Sequence, residues 1–371
     1  MTQAEVADKP VFTVCGAGRA GAAIAADISL MGYKVNLFEL DHFRASVEPI
    51  LQKGGIELSG KTQSGKTGFT KLNKVTTDPN EAVDGADLVM VTAPAFGHEF
   101  FLESVSPHLK RGQCIMFNTG YWACLRLACT LKEKRIFDEV TLAEANIMPY
   151  LSDKKEHHAH IFNVKQDIKL ATFPGKKGDK IFDIIKVVYP QHRRVQNVLW
   201  TNFAAGNPSV HAPLMLPIAG FAFDRYMGCK LYGEATEPAA RLVEAFDQER
   251  IKVAEALGCE VETASEWAQR TYGYIGKDIA EAFRKSAHAD RYIPRERLAA
   301  VLSEDLEFFY VPLARLGDSL SIPTPVTKAI VEVMRVMLKS DFWENGVTLE
   351  QLGLAGLTVD EIVRYVNTGE I

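Results

Sequence analysis

The chain has 371 residues, of which 47% are hydrophobic and 24% are charged. This length suits two domains, and this composition excludes a disordered, fibrous or disulfide-stapled protein. Lys and Arg number 42 and Asp and Glu number 47, so a net charge of −5 gives no general attraction to nucleic acid or to an anionic membrane. The sequence has no signal-peptide pattern and no apolar run that could span a bilayer, which predicts a cytoplasmic protein.

Short apolar segments alternate with longer amphipathic ones over about the first 200 residues. This rhythm is typical of strand–helix units that build a mainly parallel sheet. The expected strands are Val11–Cys15, Lys34–Phe38, Asp87–Thr92, Gln113–Asn118 and Val140–Glu144, with Val195–Trp200 as a last edge strand.

A glycine-rich turn follows the first expected strand and fits the pattern G-x-G-x-x-G through Gly16, Gly18 and Gly21. Between a strand and an alanine-rich helix, this pattern binds the pyrophosphate of a dinucleotide at the helix N-terminus. Glu39 follows the second strand, roughly 20 residues further on, where an acid accepts the ribose hydroxyls. A carboxylate there favours NAD, while the nearby Arg19 and Arg44 leave NADP open.

A second phosphate-binding pattern is present between Gly60 and Thr67, which match G-x-x-x-x-G-K-[ST]. A P-loop must lead into a helix, but Thr67–Thr70 is a poor helix start and the β-branched run Val75–Thr77 follows. We therefore predict an exposed hairpin turn rather than a nucleotide site.

Helical periodicity takes over beyond about residue 200. The expected helices are Pro208–Met227, Pro238–Leu257, Lys277–Arg284, Pro325–Lys339 and Val359–Tyr365. We predict an α/β protein with an N-terminal Rossmann dinucleotide-binding domain over residues 1–200 and an all-helical C-terminal domain over residues 201–371.

The sequence offers no convincing metal site. Its six cysteines form no C-x-x-C pair, which predicts reduced thiols. His157, His158 and His160 are clustered, but they lie in a lysine-rich segment that we interpret as a solvated hairpin.

Proton transfer near neutral pH favours a histidine, and His211 lies in an apolar predicted helix. Asn207 and Pro208 suit the N-cap and the first position of that helix. A working histidine needs a carboxylate to fix its tautomer, and Asp305 precedes an apolar stretch that could bury it. A satisfied core histidine and a solvated or helix-capping acid are the structural alternatives.

The order of these motifs resembles the opine dehydrogenase family, which includes octopine, nopaline and N-(1-D-carboxyethyl)-L-norvaline dehydrogenases. The resemblance covers nearly the whole chain. It is carried by Gly16–Gly21, Val91–Ala95, Asn118–Gly120, Asn207–His211, Glu304–Asp305 with Val311–Leu313, Pro323–Pro325, and Thr348–Leu354 with Gly356–Thr358.

The resemblance implies a Rossmann domain and a helical domain with the substrates in the cleft between them. It also implies an NAD(P)-dependent oxidoreductase that condenses an amino acid or amine with a 2-keto acid and reduces the resulting imine. In this picture His211 is the acid/base and Asp305 orients it. Asn207 and Glu144 lie near the substrates, and Pro94 joins the glycine loop at the cofactor.

Two positions depart from the family pattern. Arg19 stands where the family usually has asparagine, so that the cation faces the pyrophosphate or solvent. Ala300 stands where an arginine is expected to meet a substrate carboxylate. Arg297, one turn earlier, is the substrate-binding residue we assign instead, and Arg291–Tyr292 resembles the family's Arg-Tyr pair at a longer distance from Asp305.

Two other functions stay open at this point. The first is a single-substrate 2-ketoacid or hydroxyacid dehydrogenase, which relies on a catalytic lysine; Lys230 and Lys252 are the nearest candidates, and both suit solvated positions. The second is a nucleotide-binding protein without catalysis. The expected partners are small-molecule substrates, with neither nucleic acid nor membrane, and a homodimer is left open.

Overall fold

The computed structural model describes residues 9–371 except 205, 226, 274 and 287. Contacts divide the chain into two units. The sheet unit comprises the part up to Thr119 together with Leu127–Thr172 and Lys177–Arg194. The helical unit comprises Gly120–Arg126, Phe173–Lys176 and Val195–Ile371. The last boundary between the two units lies between residues 194 and 195, near the expected division at residue 200. The two short earlier segments of the helical unit were not expected.

The strands are β1 (Phe12–Cys15), β2 (Val35–Phe38), β3 (Gly55–Gly60), β4 (Gly68–Lys71), β5 (Lys74–Thr76), β6 (Leu88–Val91), β7 (Cys114–Asn118), β8 (Thr141–Ala145), β9 (Tyr150–Lys155), β10 (His158–Val164), β11 (Ile168–Phe173), β12 (His192–Arg194), β13 (Gly228–Cys229) and β14 (Ile293–Pro294).

Eight of these strands form the main sheet, in the order β12-β11-β8-β7-β6-β1-β2-β5. The pairings of β1 with β2 and β6, of β2 with β5, of β7 with β6 and β8, and of β11 with β12 are parallel. Every residue of β1, β2, β6 and β7 is buried, as in parallel strands covered on both faces. The predicted Rossmann-type sheet is confirmed.

A second, four-stranded sheet in the order β4-β3-β10-β9 lies in the same unit. The Gly60–Thr67 segment joins the antiparallel strands β3 and β4, so it is a hairpin connection and does not lead into a helix. Asp27, which is fully buried, accepts hydrogen bonds from the backbone amides of Gln63 and Ser64 and from the Tyr150 hydroxyl. These bonds fix the connection against the first helix.

The helices are α1 (Arg19–Leu30), α2 (Arg44–Lys53), α3 (Pro79–Val83), α4 (His98–Val105), α5 (Ala123–Glu133), α6 (Asp179–Lys186), α7 (Val198–Phe203), α8 (Gly206–Met215), α9 (Glu237–Ala256), α10 (Ala264–Tyr272), α11 (Ile279–Arg284), α12 (Arg295–Asp305), α13 (Val311–Ser319), α14 (Pro325–Leu338), α15 (Phe342–Asn345) and α16 (Val359–Thr368). Across the described residues, no helix has both the length and the apolar character of a membrane span.

Helix α9 is the centre of the helical unit and packs against α7, α8, α10, α11, α13 and α14. Its Asp247 and Arg250 form an ion pair of 2.7 Å in which both side chains are only 4% exposed. Arg250 also donates to the carbonyls of Phe203 and Glu262, and Asp247 accepts from the amide of Ala264. A buried ion pair with its remaining donors and acceptors satisfied ties two segments to α9, the end of α7 and the start of α10.

Glu249 on the same helix caps α14. Its carboxylate accepts from the amides of Val326 and Thr327 at 2.8 Å and from the Thr327 hydroxyl at 2.7 Å. The negative charge therefore lies at the positive end of α14, where it satisfies first-turn amides.

One predicted element was wrong, and a second is interrupted. Val195–Trp200 is not a strand, because β12 ends at Arg194 and the Asn197 side chain accepts from the Leu199 amide to start α7. The helix expected over Pro208–Met227 is regular α-helix only to Met215; Leu216–Ile218 then form a 3₁₀ turn around Pro217, and Phe221–Arg225 form a turn of π-helix. A proline lacks the N–H that would continue the helix.

We predict that Arg250→Met lowers the free energy of unfolding by about 3–5 kcal/mol, because Asp247 is left as an uncompensated buried charge. Urea denaturation followed by circular dichroism measures the loss. Arg241→Met is the matched control, since Arg241 on the same helix pairs with Glu237 in solvent, at 62% and 61% exposure, and should change stability by less than about 0.5 kcal/mol. Equal effects of the two substitutions would contradict the assigned role of the buried pair.

A pH dependence of stability is predicted from His192. Burial lowers the pKa of this side chain from 6.5 to about 4, and its Nε2 atom has no hydrogen-bond partner among the described residues. The unfolded chain therefore binds a proton first as the pH falls, and the free energy of unfolding decreases between pH 6.5 and 4, by up to about 3 kcal/mol.

Urea denaturation at several pH values between 7 and 4 should show this loss in the wild type and a smaller loss in His192→Phe. The phenyl ring keeps the packing against Tyr189, whose ring centroid lies 5.6 Å from the imidazole. His158→Phe, at an exposed histidine of β10, should leave the wild-type pH dependence intact.

Candidate functional site

The glycine loop between β1 and α1 needs glycine at two positions for steric reasons. Gly16 has φ +101°, a conformation that side chains disfavour. A Cβ on Gly21 would lie 1.8 Å from the Gly16 carbonyl oxygen and 2.6 Å from Thr92 Oγ1. The Thr92 hydroxyl itself donates to the carbonyls of Cys15 and Gly16. The loop is thus held in a tight turn with the helix close to the strand.

Gly18 has a different role, because a Cβ on it would meet nothing within 4 Å. It is the N-cap of α1, it makes no side-chain capping bond, and the first turn of the helix contains no acidic residue. The positive end of a 12-residue helix therefore faces open space beside an exposed glycine. These features fit the pyrophosphate of a dinucleotide cofactor.

Glu39 follows β2 and lies beside this loop. Its Oε2 atom accepts from the Ala17 amide at 2.8 Å and from the Ser46 hydroxyl at 3.0 Å, and its Oε1 atom accepts from the Leu40 amide at 3.0 Å. The side chain is 5% exposed. The predicted ribose-binding acid and the glycine loop are therefore at one edge of the sheet, and the carboxylate keeps lone pairs for further donors.

The remaining predicted residues of the sheet unit are Pro94, Arg19 and Glu144. Pro94 is exposed and follows β6, the neighbour of β1. Arg19 begins α1. Glu144 is fully buried within β8, opposite Phe117 of β7. The sequence placed Glu144 at the end of a strand, and the structure places it one residue before that end. Its substrate-binding role stays a prediction.

His211 and Asp305 meet in the helical unit. His211 Nδ1 and Asp305 Oδ2 are 2.8 Å apart, the Asp305 side chain is fully buried and that of His211 is 12% exposed. His211 lies in α8 and Asp305 is the last residue of α12. With the Nδ1 proton directed to the carboxylate, Nε2 is the atom that can exchange protons.

Two tyrosines complete this group, and sequence reasoning missed both. The Tyr121 hydroxyl donates to Asp305 Oδ1 at 2.8 Å, and the Tyr232 hydroxyl lies 3.0 Å from His211 Nε2. Burial and the adjacent Asp305 carboxylate raise the pKa of Tyr121 well above its usual range, which keeps it a donor. Both oxygens of Asp305 are thereby engaged, and the imidazole is bonded at both nitrogens.

The backbone that carries Tyr121 is strained. Tyr121 and Trp122 have backbone φ angles of +49° and +62°, which residues other than glycine rarely adopt. The Trp122 amide donates to Asn202 Oδ1 at 2.6 Å, and its ring packs edge-on against Phe203. Strained residues of this kind are found where a side chain must be placed for function. The sequence feature that could have pointed to Tyr121 is the motif Asn118–Gly120, which directly precedes it.

The other predicted residues of the helical unit lie on the same two helices. Asn207 is four residues before His211 in α8, so both occupy one face of that helix. It is not the N-cap, since α8 begins at Gly206, where a Cβ would collide with the Trp267 ring. Arg297 stands near the start of α12, roughly 12 Å along the helix from Asp305.

The alternative arginine and lysine positions lie at the protein surface. Ala300 is exposed, so the position expected to hold an arginine faces solvent. Lys230 forms a surface pair with Asp290, and Lys252 is exposed. Among the described residues, no group of three or more His, Cys, Asp or Glu side chains is arranged to hold a metal ion.

The chain is similar in sequence to known proteins. Residues 194–338 match the family described as NAD/NADP octopine/nopaline dehydrogenase, alpha-helical domain. The chain is 29% identical over 360 residues to opine dehydrogenase from Arthrobacter sp. strain 1C, which covers 95% of this chain and 97% of the relative.

Solved structures show the same fold. Octopine dehydrogenase with NADH and L-arginine superposes with a TM-score of 0.75 at 17% identity, covering 98% of this chain and 99% of that one. Yersinopine dehydrogenase with bound NADP+ gives a TM-score of 0.72 at 15% identity, covering 97% and 98%.

The glycine loop generates a paired prediction. Gly21→Ala should lower the free energy of unfolding by about 3 kcal/mol, because its Cβ collides with backbone. Gly18→Ala should leave stability within about 1 kcal/mol and weaken NADH binding at least about tenfold, because the methyl group enters the space for the pyrophosphate. Urea denaturation and NADH fluorescence titration measure the two effects. If a folded Gly18→Ala protein bound NADH as tightly as the wild type, the assignment of the pyrophosphate site to Gly18 would be wrong.

Proposed function

We propose that this chain is an opine dehydrogenase, which catalyses the NAD(P)H-dependent condensation of an amino acid or amine with a 2-keto acid to give a secondary amine. The observation that carries the proposal is the buried Asp305 carboxylate holding His211 by Nδ1. Imine reduction needs a proton donor fixed in place, and this pair provides one.

The reaction joins two substrates before reduction. The amine attacks the keto carbon, water leaves, and a C=N bond forms. A bound nicotinamide cofactor supplies the hydride. The imine nitrogen must take up a proton for its carbon to accept hydride, and the product is then a secondary amine flanked by the carboxylate of the former keto acid.

His211 performs the proton transfer. Its imidazolium form gives the Nε2 proton to the reacting nitrogen, while Nδ1–H stays bonded to Asp305. Asp305 stabilises the positive charge, and Tyr121 holds the carboxylate through its other oxygen. Tyr232 keeps Nε2 hydrogen-bonded until a substrate atom takes that place. Asn207, Arg297 and Glu144 are the side chains that we assign to binding the substrates.

The thiols support the assignment of a compartment. All six cysteines are free. Unpaired thiols persist in reducing surroundings, and we assign the protein to the cytoplasm.

The test is NADH oxidation at 340 nm with pyruvate or other 2-keto acids, alone and combined with L-arginine or other amino acids and amines, with NADPH in parallel. We expect turnover only when both co-substrates are present. His211→Asn should lower kcat by at least about 100-fold without changing the Kd for NADH, because the amide can replace Nδ1 toward Asp305 but has no counterpart of Nε2.

Tyr121→Phe is the companion variant. It removes the hydroxyl that fixes Asp305, and we expect a smaller loss of kcat, about tenfold, again with unchanged NADH affinity. Full-rate oxidation of NADH with a keto acid alone would establish a hydroxyacid dehydrogenase instead. Binding of NADH without turnover for any pair would support a nucleotide-binding protein that has no catalysis.

A further inference from the structure

Strand β9 of the second sheet bonds directly to the glycine loop. The Ser152 hydroxyl donates to the Arg19 carbonyl at 3.2 Å, and the Lys154 Nζ atom donates to the Ala17 carbonyl at 2.6 Å. Ser152 and Lys154 are two residues apart and therefore share one face of the strand. The neighbouring Lys155 is exposed.

Lys154 completes a ring of hydrogen bonds around Glu39. Ala17 and Ser46 each donate to Glu39 Oε2, through an amide and a hydroxyl respectively. The carbonyls of the same two residues each accept from Lys154 Nζ at 2.6 Å. An ammonium and a carboxylate are thus held by one pair of residues at the edge where the adenosine ribose is expected.

The Lys154 ammonium has more donors than it has acceptors in the part of the chain that the structure describes. A lysine has three N–H groups, and two of them bind Ala17 and Ser46. The third has no acceptor among the described residues. Burial lowers the pKa of Lys154 below its usual value, and the nearby Glu39 charge offsets part of this effect. The two groups therefore interact electrostatically.

Arg44, one of the two arginines that leave NADP open in the sequence, is engaged elsewhere. Arg44 bonds to Asp41 at 3.4 Å and to Glu48 at 3.2 Å, and its side chain is 55% exposed. Its charge is offset by two carboxylates and screened by solvent. Lys154 is half-buried, and the Glu39 carboxylate is the charged group that acts on its pKa.

We propose that Lys154 is a specificity-determining residue of the cofactor site, where its free N–H and its charge allow Glu39 to accept a ribose 2′-hydroxyl without excluding a 2′-phosphate. The inference rests on the dinucleotide-binding part of the proposed function. Glu39 alone would repel the phosphate of NADPH. With Lys154 beside it, the local charge is neutral, and the remaining N–H is available to a phosphate oxygen.

The test measures binding of adenosine fragments by calorimetry, with adenosine 2′,5′-bisphosphate for the NADPH end and 5′-AMP for the NADH end. Lys154→Met should weaken the bisphosphate about tenfold and 5′-AMP by less than about twofold. Glu39→Gln should shift the preference the other way, toward the bisphosphate. Because no turnover is involved, the result is independent of whether the proposed reaction is correct.

Three further measurements make the outcome specific. Lys155→Met, on the exposed side of the same strand, should leave both affinities unchanged, and Lys154→Arg should retain the wild-type preference. In the Glu39→Gln background, Lys154→Met should still weaken the bisphosphate selectively. Equal weakening of both fragments by Lys154→Met in a protein with wild-type thermal stability, or no weakening of either, would overturn the proposal.

Discussion

A carboxylate that leaves water must be met by hydrogen-bond donors, and this requirement organises both units of the chain. Asp27 joins α1 to the connection between β3 and β4, and Glu249 joins α9 to the start of α14. Glu39 connects the glycine loop to α2 through Ser46. Asp305 connects α12 to Tyr121 and His211. In each case one acid fixes the relation between segments distant in sequence.

At Asp305 the same requirement orients the histidine for proton transfer. Two donors from separate segments hold the carboxylate, so its orientation does not depend on His211 alone. The imidazole is therefore presented with one defined nitrogen for proton exchange, before any substrate binds. The strained backbone at Tyr121 and Trp122 is consistent with this function, because strain of about 1–3 kcal/mol per residue persists only where surrounding contacts enforce it.

The cofactor loop shows how a second structural layer can modify a common motif. A glycine turn and an acid after the second strand occur in many dinucleotide sites. Here a strand from another sheet adds Ser152 and Lys154 to the loop carbonyls. A property as specific as the choice between NADH and NADPH can then depend on a residue outside the motif, which no reading of the motif alone identifies.

The sequence by itself determined the parts that depend on local periodicity and on glycine stereochemistry: β1, β2, β6, β7 and β8, the turn at Gly16–Gly21, and most of the long helices. It also singled out His211 and Asp305, because their motifs resemble those of a family. Only the tertiary structure decided that these two side chains touch, that Tyr121 and Tyr232 join them, and that Lys154 reaches Ala17. These contacts link residues far apart in the chain, and hydrogen bonds at such separations follow from how helices and sheets pack, which leaves no periodic trace in the sequence.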